Sequence, residues 1–598
     1  GSVGAAASTI SVNNVNSQTS AVVDNSTVGA DQDFTVDAHN KVTTKFNAAT
    51  LGAGGAAIAA GVGVNTIGTS TLAKVNQSTV TARKAAVASR EELDVDQNLV
   101  GATVGGLGIN ANVMVTSIGT KLADTYGSSE NKGASFDTAA VLKKANTALD
   151  SQQTATADDS TASSKVVKDT LHNTDTGVES TDASGVTVSS GKSDAKGTQV
   201  AVTGSKITTG DTLSLKADRQ TDAAVTAASA SLGVVDLSAT VAVLDAKKDA
   251  GITVSSSTLT SGKDLSVLAE QSGTTGITAY QGNISAGTGI SAAYAQSSSS
   301  GSTAITLDQS TLQTAQDSTG HITVKAEDTG ATSAKVVGVT TGAFGGGALI
   351  TKADNKSGTG VSLKDSTLSG KKDVAVTSRR ANTVTAGTTG GVVGVATLQG
   401  VVASASDTGS STVALTGKNA LSGETLELTA QGQPRVSADA KAIGVSLVGG
   451  GASVATAEAG GTVALTAAEG SSFTADSVEL TASSGQQSEE TKDSSGNTTT
   501  TVYDNAKAEA VGNATAIGAS VGVNKASAKQ ATTVKVDLGK GIYKTDSLTV
   551  TGSNTAALDA AAKGVTIGGY FASGTNETDL DGQLTTQVTA AGADTASS

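Results

Sequence analysis

One short phrase returns along the chain every 52 residues or so, and that period constrains the fold more than any other feature. Its marker is an apolar residue following a small polar pair: Val28 in NSTVGA, Val80 in QSTVTA, Ile207 in GSKITTG, Leu259 in SSTLTS, Leu312, Leu368, Leu421, Phe473 in SSFTAD and Ile542 in KGIYKT. Subtracting successive positions gives steps of 52, 127, 52, 53, 56, 53, 52 and 69 residues. The two long steps are therefore one period plus insertions of about 75 and about 17 residues. A second marker, a glycine in a small-residue strand, keeps a similar period at Gly61, Gly108, Gly233, Gly289, Gly338, Gly394, Gly444, Gly518 and Gly564. The period is thus a property of the whole unit.

Each unit reads as β-structure. Between Thr412 and Gln431, Val413, Leu415, Leu426 and Leu428 point one way while Thr412, Ala414, Glu427 and Thr429 point the other, the period of two that a strand requires. In SSTLTSGKDLSVLAEQ, Ser256 to Gln271, Leu265, Val267 and Ala269 alternate in the same way after a Gly262-Lys263-Asp264 turn. The pattern predicts several strands of roughly 5 to 7 residues per unit, set off by Gly, Asn, Asp or Ser corners.

Composition selects among repeat architectures. The chain has 598 residues, 71 of them glycine, with 6 Tyr, 6 Phe, no Trp and one proline, Pro434. Propeller blades of similar length usually show aromatic signatures and close into a ring, and neither is evident. Hydrophobic residues make up 37% of the chain, and they alternate over long runs, which disorder does not produce. A right-handed parallel β-helix, an all-β solenoid with a thin aliphatic core, accommodates these facts, and the scarcity of proline suits strands that must donate every N–H to a neighbour. At roughly 20 residues per coil a unit would be two or three coils, and the whole a rod on the order of 120 Å long.

The units occupy 1–119, 186–487 and 506–598, the last read as truncated at its C-terminal end. The insertions lie at 120–185 and 488–505. In FDTAAVLKKANTALD the apolar residues fall at helical spacing, and Lys165 to His172 suggests a second short helix. The larger insertion is expected to form a helical hairpin with a flexible link. Its apolar residues Phe136, Val141, Leu142, Leu149, Val167 and Leu171 are the candidate partner-binding set. The smaller, SEETKDSSGNTTTTVYDN, reads as a hairpin or loop. The breaks after Ile118 and after Gln487 are where contact with a partner is expected.

Signals for chemistry are weak. His39, His172 and His321 are far apart in sequence and hence in a solenoid, so a shared metal or catalytic site among them is not expected. GVTVSSGKS, Gly185 to Ser193, has one residue too many between its glycines for a P-loop. No GxSxG elbow and no GGxGxD calcium repeat occurs, despite Gly345 to Gly347. Asp236, Asp245 and Lys247, or Arg379 and Arg380, could furnish a polysaccharide-cleaving face, but solvated corners explain them more simply. The threonines do not keep the strict ladder that ice binding needs. No cofactor or metal is implied. A net charge of −14 disfavours nucleic acid, and no apolar run approaches the ~18 residues of a membrane span. The absence of cysteine suits an exported protein. The opening Gly1-Ser2, without a leader, reads as the start of a piece cut from a longer chain.

Modules of the type GVGVN followed by STV, Gly61 to Asn65 and Ser78-Thr79-Val80 here, resemble the repeat region of leukotoxin-type filamentous adhesins of Gram-negative bacteria. These are relatives of the filamentous haemagglutinins exported by two-partner (type V) secretion. The resemblance covers nearly all the chain outside the insertions, and the family's N-terminal secretion domain is absent. It implies a right-handed β-helix at or released from the cell surface, acting in attachment to a protein or glycan receptor on host cells, matrix or other bacteria. The expectation is a non-enzymatic, monomeric stalk or binding rod. A carbohydrate-binding or carbohydrate-cleaving β-helix and a cytotoxin segment are the alternatives.

Overall fold

Alternation by itself makes a strand with one apolar face, and such a strand is stable only when stacked on another. The computed structural model satisfies this by winding the chain into a parallel β-helix; it describes residues 4–119, 196–315, 319–492 and 498–591. Thirty strands join into one sheet, every pairing within it parallel, and the described residues contain no helix.

One repeat is one coil. Thr27 pairs with Thr79, Val80 with Ile207, Leu259 with Leu312 and Leu368 with Leu421, so each residue stacks on its counterpart one period away. The expected coil of roughly 20 residues is therefore replaced by one of about 52. The column Ala21, Ala73, Val200, Ile252, Ile305, Val361, Val413, Leu465, Val536, Val588 runs through the described stack. Its nine steps at ~4.8 Å make about 43 Å, not about 120 Å. The alternation is the same for short and long coils, which is why the sequence alone does not separate them.

The strands are also longer than expected. Thr27–Asn76 is a single strand of 50 residues, because the ladder to the next coil continues while the chain folds back on itself. The fold-back is seen in facing contacts: a Cβ added to Gly108 would meet Thr103, one at Gly338 would meet Leu349, and one at Gly451 would meet Ala442. Each coil thus has a corner region and a two-layered arm ending in a narrow edge. The corner buries one apolar core, including Val80, Leu213, Leu265, Val267 and Phe473, and the base of the arm buries another, including Leu93, Leu99, Met114 and Val436.

The Ser-Thr phrase is the corner. Asn25, Gln77, Ser256, Gln309 and Asp365 hold φ between 45° and 50°, and Gly204 takes the same turn at 56°. The serine that follows faces inward and links the coils. The N–H groups of Ser26, Ser78, Ser205 and Ser257 donate to the hydroxyls of Ser78, Ser205, Ser257 and Ser310 at 3.1–3.3 Å. Each hydroxyl also donates to the carbonyl two residues back, as Ser257 does to Ser255 at 2.8 Å. A buried turn N–H needs such a partner, and serine provides it at each of these four corners.

The large insertion interrupts the coil between Ile118, which pairs with Ile67, and Gly197, which pairs with Ser70. The smaller lies between Ser484, which pairs with Gly432, and Ala506, which pairs with Val436. Ser488–Lys492 and Thr498–Val502 form an exposed antiparallel pair. Pro434 sits in the gap between Gln433 and Arg435, whose N–H groups donate to Arg380 and Asn382, a place where a missing N–H costs nothing.

Candidate functional site

The candidate partner-binding set, Phe136, Val141, Leu142, Leu149, Val167 and Leu171, lies outside the described residues, as do the expected helical hairpin, His172 and the GVTVSSGKS segment. The polar candidates are not brought together. His39 stands 3.5 Å from Glu92, and His321 stands 3.0 Å from Asp373. Lys41, 2.8 Å from Glu92, holds that carboxyl below its usual range by a hydrogen bond. Lys247 pairs with Asp249 at 3.2 Å. Asp236 is buried near the arm's edge, and the nine residue steps from it to Asp245 span about 30 Å of strand. Arg379 faces outward to Glu327 at 2.8 Å, whereas Arg380 faces inward to Asp407.

Arg380 belongs to a seam that the sequence reading missed. The column Glu91, Arg219, Gln271, Asp328, Arg380 runs between the two apolar cores, and each of its side chains is at most 2% exposed. Arg219 reaches Glu91 at 3.1 Å. Asp328 accepts from Gln271 at 3.3 Å, Ser357 at 2.5 Å and Asn382 at 2.9 Å. Burial pulls Arg380 down to about 10 and lowers the amine of Lys248, while Asp328 acts in the opposite sense on both. The available signal was a charged residue at an inward position of the alternation. Sealed from solvent, the seam can hold coils in register but cannot meet a ligand.

Two outer features remain. A shallow depression of about 700 Å³ lies on the arm's outgoing face over small residues such as Ala224, Gly276 and Gly387, and Asp94, Asp96, Asp222 and Lys335 also line it. It has no aromatic platform, and no group of three or more metal-ligating side chains occurs among the described residues. The second feature is the edge of the arm. There the outward residues are apolar coil after coil: Leu51, Val104, Leu107, Leu232, Val234, Val235, Ile284, Phe344, Val393, Val395, Val445, Leu447, Val448 and Ile517 are all exposed.

The fold-back explains this edge. Where the two layers converge, the inward positions are glycine or small polar residues, such as Gly105, Gly233, Gly342 and Gly394, or Ser231 and Thr340. A Cβ on Gly105, Gly233 or Gly394 would come within 2.3 Å of the carbonyl one coil away. Most of the larger apolar side chains there point outward, Val392 in the column of Thr340 being an inward exception. No family model matches the chain, and no match was found among the curated proteins or the solved structures.

Proposed function

We propose that this chain is a non-enzymatic segment of a large bacterial surface or secreted adhesin, in which the β-helix displays binding surface for attachment to host cells, matrix or other bacteria. The observation that carries the reading is that the repeat equals the coil. Its inward positions are used for stacking in column after column, while the outward positions vary from coil to coil, as in the outward series Ser266, Thr323, Ala375, Glu427, Glu479. Repetition of this kind extends a scaffold without building a reaction centre. A contact role for the insertions is supported by where the coil is interrupted: Thr69, beside the first break, bonds across the layers to Glu91, which stands in the column of Ser484 beside the second, so the two breaks lie on opposite faces.

Binding of the whole chain, and of a variant with 120–185 replaced by a short Gly-Ser linker, to host cells, matrix proteins and a glycan array tests the reading. Saturable binding supports it, and loss on replacement places recognition in the insertion. Absence of binding to every surface, or turnover of a polysaccharide, overturns it.

A further inference from the structure

The edge of the arm has a chemical composition unlike the rest of the molecule. From the position of Leu51 to that of Ala60, followed through nine stacked coils as 51–60, 102–111, 230–239, 282–292, 339–348, 391–400, 443–452, 513–523 and 565–575, the only acidic or basic residue is Asp236. Asp236 is buried. The whole chain carries 40 Lys and Arg and 54 Asp and Glu, so a belt this long without an exposed charge is a local property. Charges resume just beyond it, at Lys441 and Lys563 in the column of Val100 and Tyr280.

We propose that this uncharged edge inserts into the apolar layer of a lipid surface. Three features of the belt favour that occupant. It wraps around the edge onto both outer faces, with Val104, Leu232 and Val445 on one side and Leu107, Val235 and Phe344 on the other. A fluid phase covers both sides at once, whereas a flat partner covers one. The belt's depth also fits: about five residues on each side of the fold at ~3.3 Å make roughly 16 Å, close to the ~15 Å half-thickness of a bilayer's hydrocarbon core. Finally, most of the backbone on both sides of the edge is paired with the coils above and below, the register skipping the residue at the tip, as at Gly55 and Gly106 or Ala343 and Val395, and hydrocarbon favours a chain so paired.

A second copy of the chain is the competing occupant. Edge to edge, two arms about 10 Å thick and about 40 Å long would cover roughly 400 Å² per partner, half of what a stable interface usually needs. The aromatic residues suit lipid better. Phe344, Tyr570 and Phe571 stand exposed on the belt, and Tyr280 stands exposed at its upper limit, where the amphipathic ring of tyrosine favours a headgroup boundary. The inference stands apart from the attachment reading, which its failure would leave untouched.

The test is flotation of the whole chain with phosphatidylcholine vesicles, with and without added phosphatidylglycerol. Binding to the neutral vesicles that persists at high salt is expected, because the contact is apolar. Val395→Glu together with Leu447→Glu, both exposed in the folded chain, should reduce partitioning about tenfold or more. Lys356→Glu together with Lys418→Glu adds more negative charge away from the belt and should leave binding to neutral vesicles unchanged. The chain has no tryptophan, so Leu447→Trp gives a clean reporter whose emission should shift to the blue and be quenched by brominated lipid, while Lys418→Trp should do neither. No flotation with either vesicle, equal flotation of the Val395/Leu447 variant with unchanged circular dichroism, or a dimer abolished by that variant without vesicle binding would each overturn the proposal.

Discussion

The guanidinium of Arg219 meets the carboxylate of Glu91 at 3.1 Å across one coil step, with both side chains sealed between the apolar cores. Glu91 also accepts from Thr69 at 2.5 Å and Thr198 at 3.3 Å, so its charge is compensated on several sides. Removing one partner of such a pair leaves the other charge stranded. Arg219→Met is expected to destabilise the stack by about 3–5 kcal/mol, read as a fall in urea midpoint. Adding Glu91→Gln should recover most of that loss. A double variant as unstable as the single one would mean that packing, not charge, sets the cost.

The serine ladder makes a sharper comparison. Ser257 Oγ accepts from the Ser205 N–H at 3.1 Å and donates to the Ser255 carbonyl, so Ser257→Ala orphans a buried N–H at an expected cost of about 1–3 kcal/mol. At the equivalent corner Asn419 accepts from the Ser366 N–H at 3.0 Å and donates to Thr416 at 2.9 Å. Ser257→Asn should therefore cost clearly less than Ser257→Ala in thermal or urea unfolding.

Asp236 gives the chain a pH dependence. Burial pushes its carboxyl from the ordinary 3.8 up to about 6, against the Gly233 N–H, which lowers it. The folded chain then holds this proton more tightly than the unfolded one. The group favours folding most below about pH 4, and that advantage is lost as pH rises through about 6. Asp236→Asn is expected to stabilise the protein by about 1–3 kcal/mol at pH 8 and to make little difference at pH 4. Equal effects at both values would exclude this carboxyl as the source.

Leu259 is fully buried between Ile207 and Leu312. Leu259→Ala should cost about 2–5 kcal/mol, whereas Thr260→Ala, one residue on and facing outward, should stay within about 0.5 kcal/mol. Because each coil touches its neighbours, the loss of amide protection should centre on the coils through Ile207, Leu259 and Leu312. Uniform loss along the whole stack would contradict that nearest-neighbour picture.

Much of the core was legible without coordinates. The marker residues from Val28 to Phe473 form one column, because an apolar residue at a fixed place in the alternation has only the interior to occupy. The last member is Tyr543 and not Ile542: its ring stacks on Phe473 with centroids 5.1 Å apart, and that contact exists only between coils. The glycine marker did not define a column. Gly108 lies beside Asp236, and Gly61 beside Asn112, because glycine is needed all around the fold-back and not at one register.

The sequence by itself determined the period, the inward and outward residues of the marker strands and the all-β class, since each follows from local alternation. Only the tertiary structure decided that a repeat makes one coil, that Glu91, Arg219, Asp328 and Arg380 face each other in a dry seam, and that the apolar residues from Leu51 to Ile517 line one edge. The physical reason is common to all three. Each depends on which coil lies next to which and on where the chain folds back, and those long-range placements leave the local alternation unchanged.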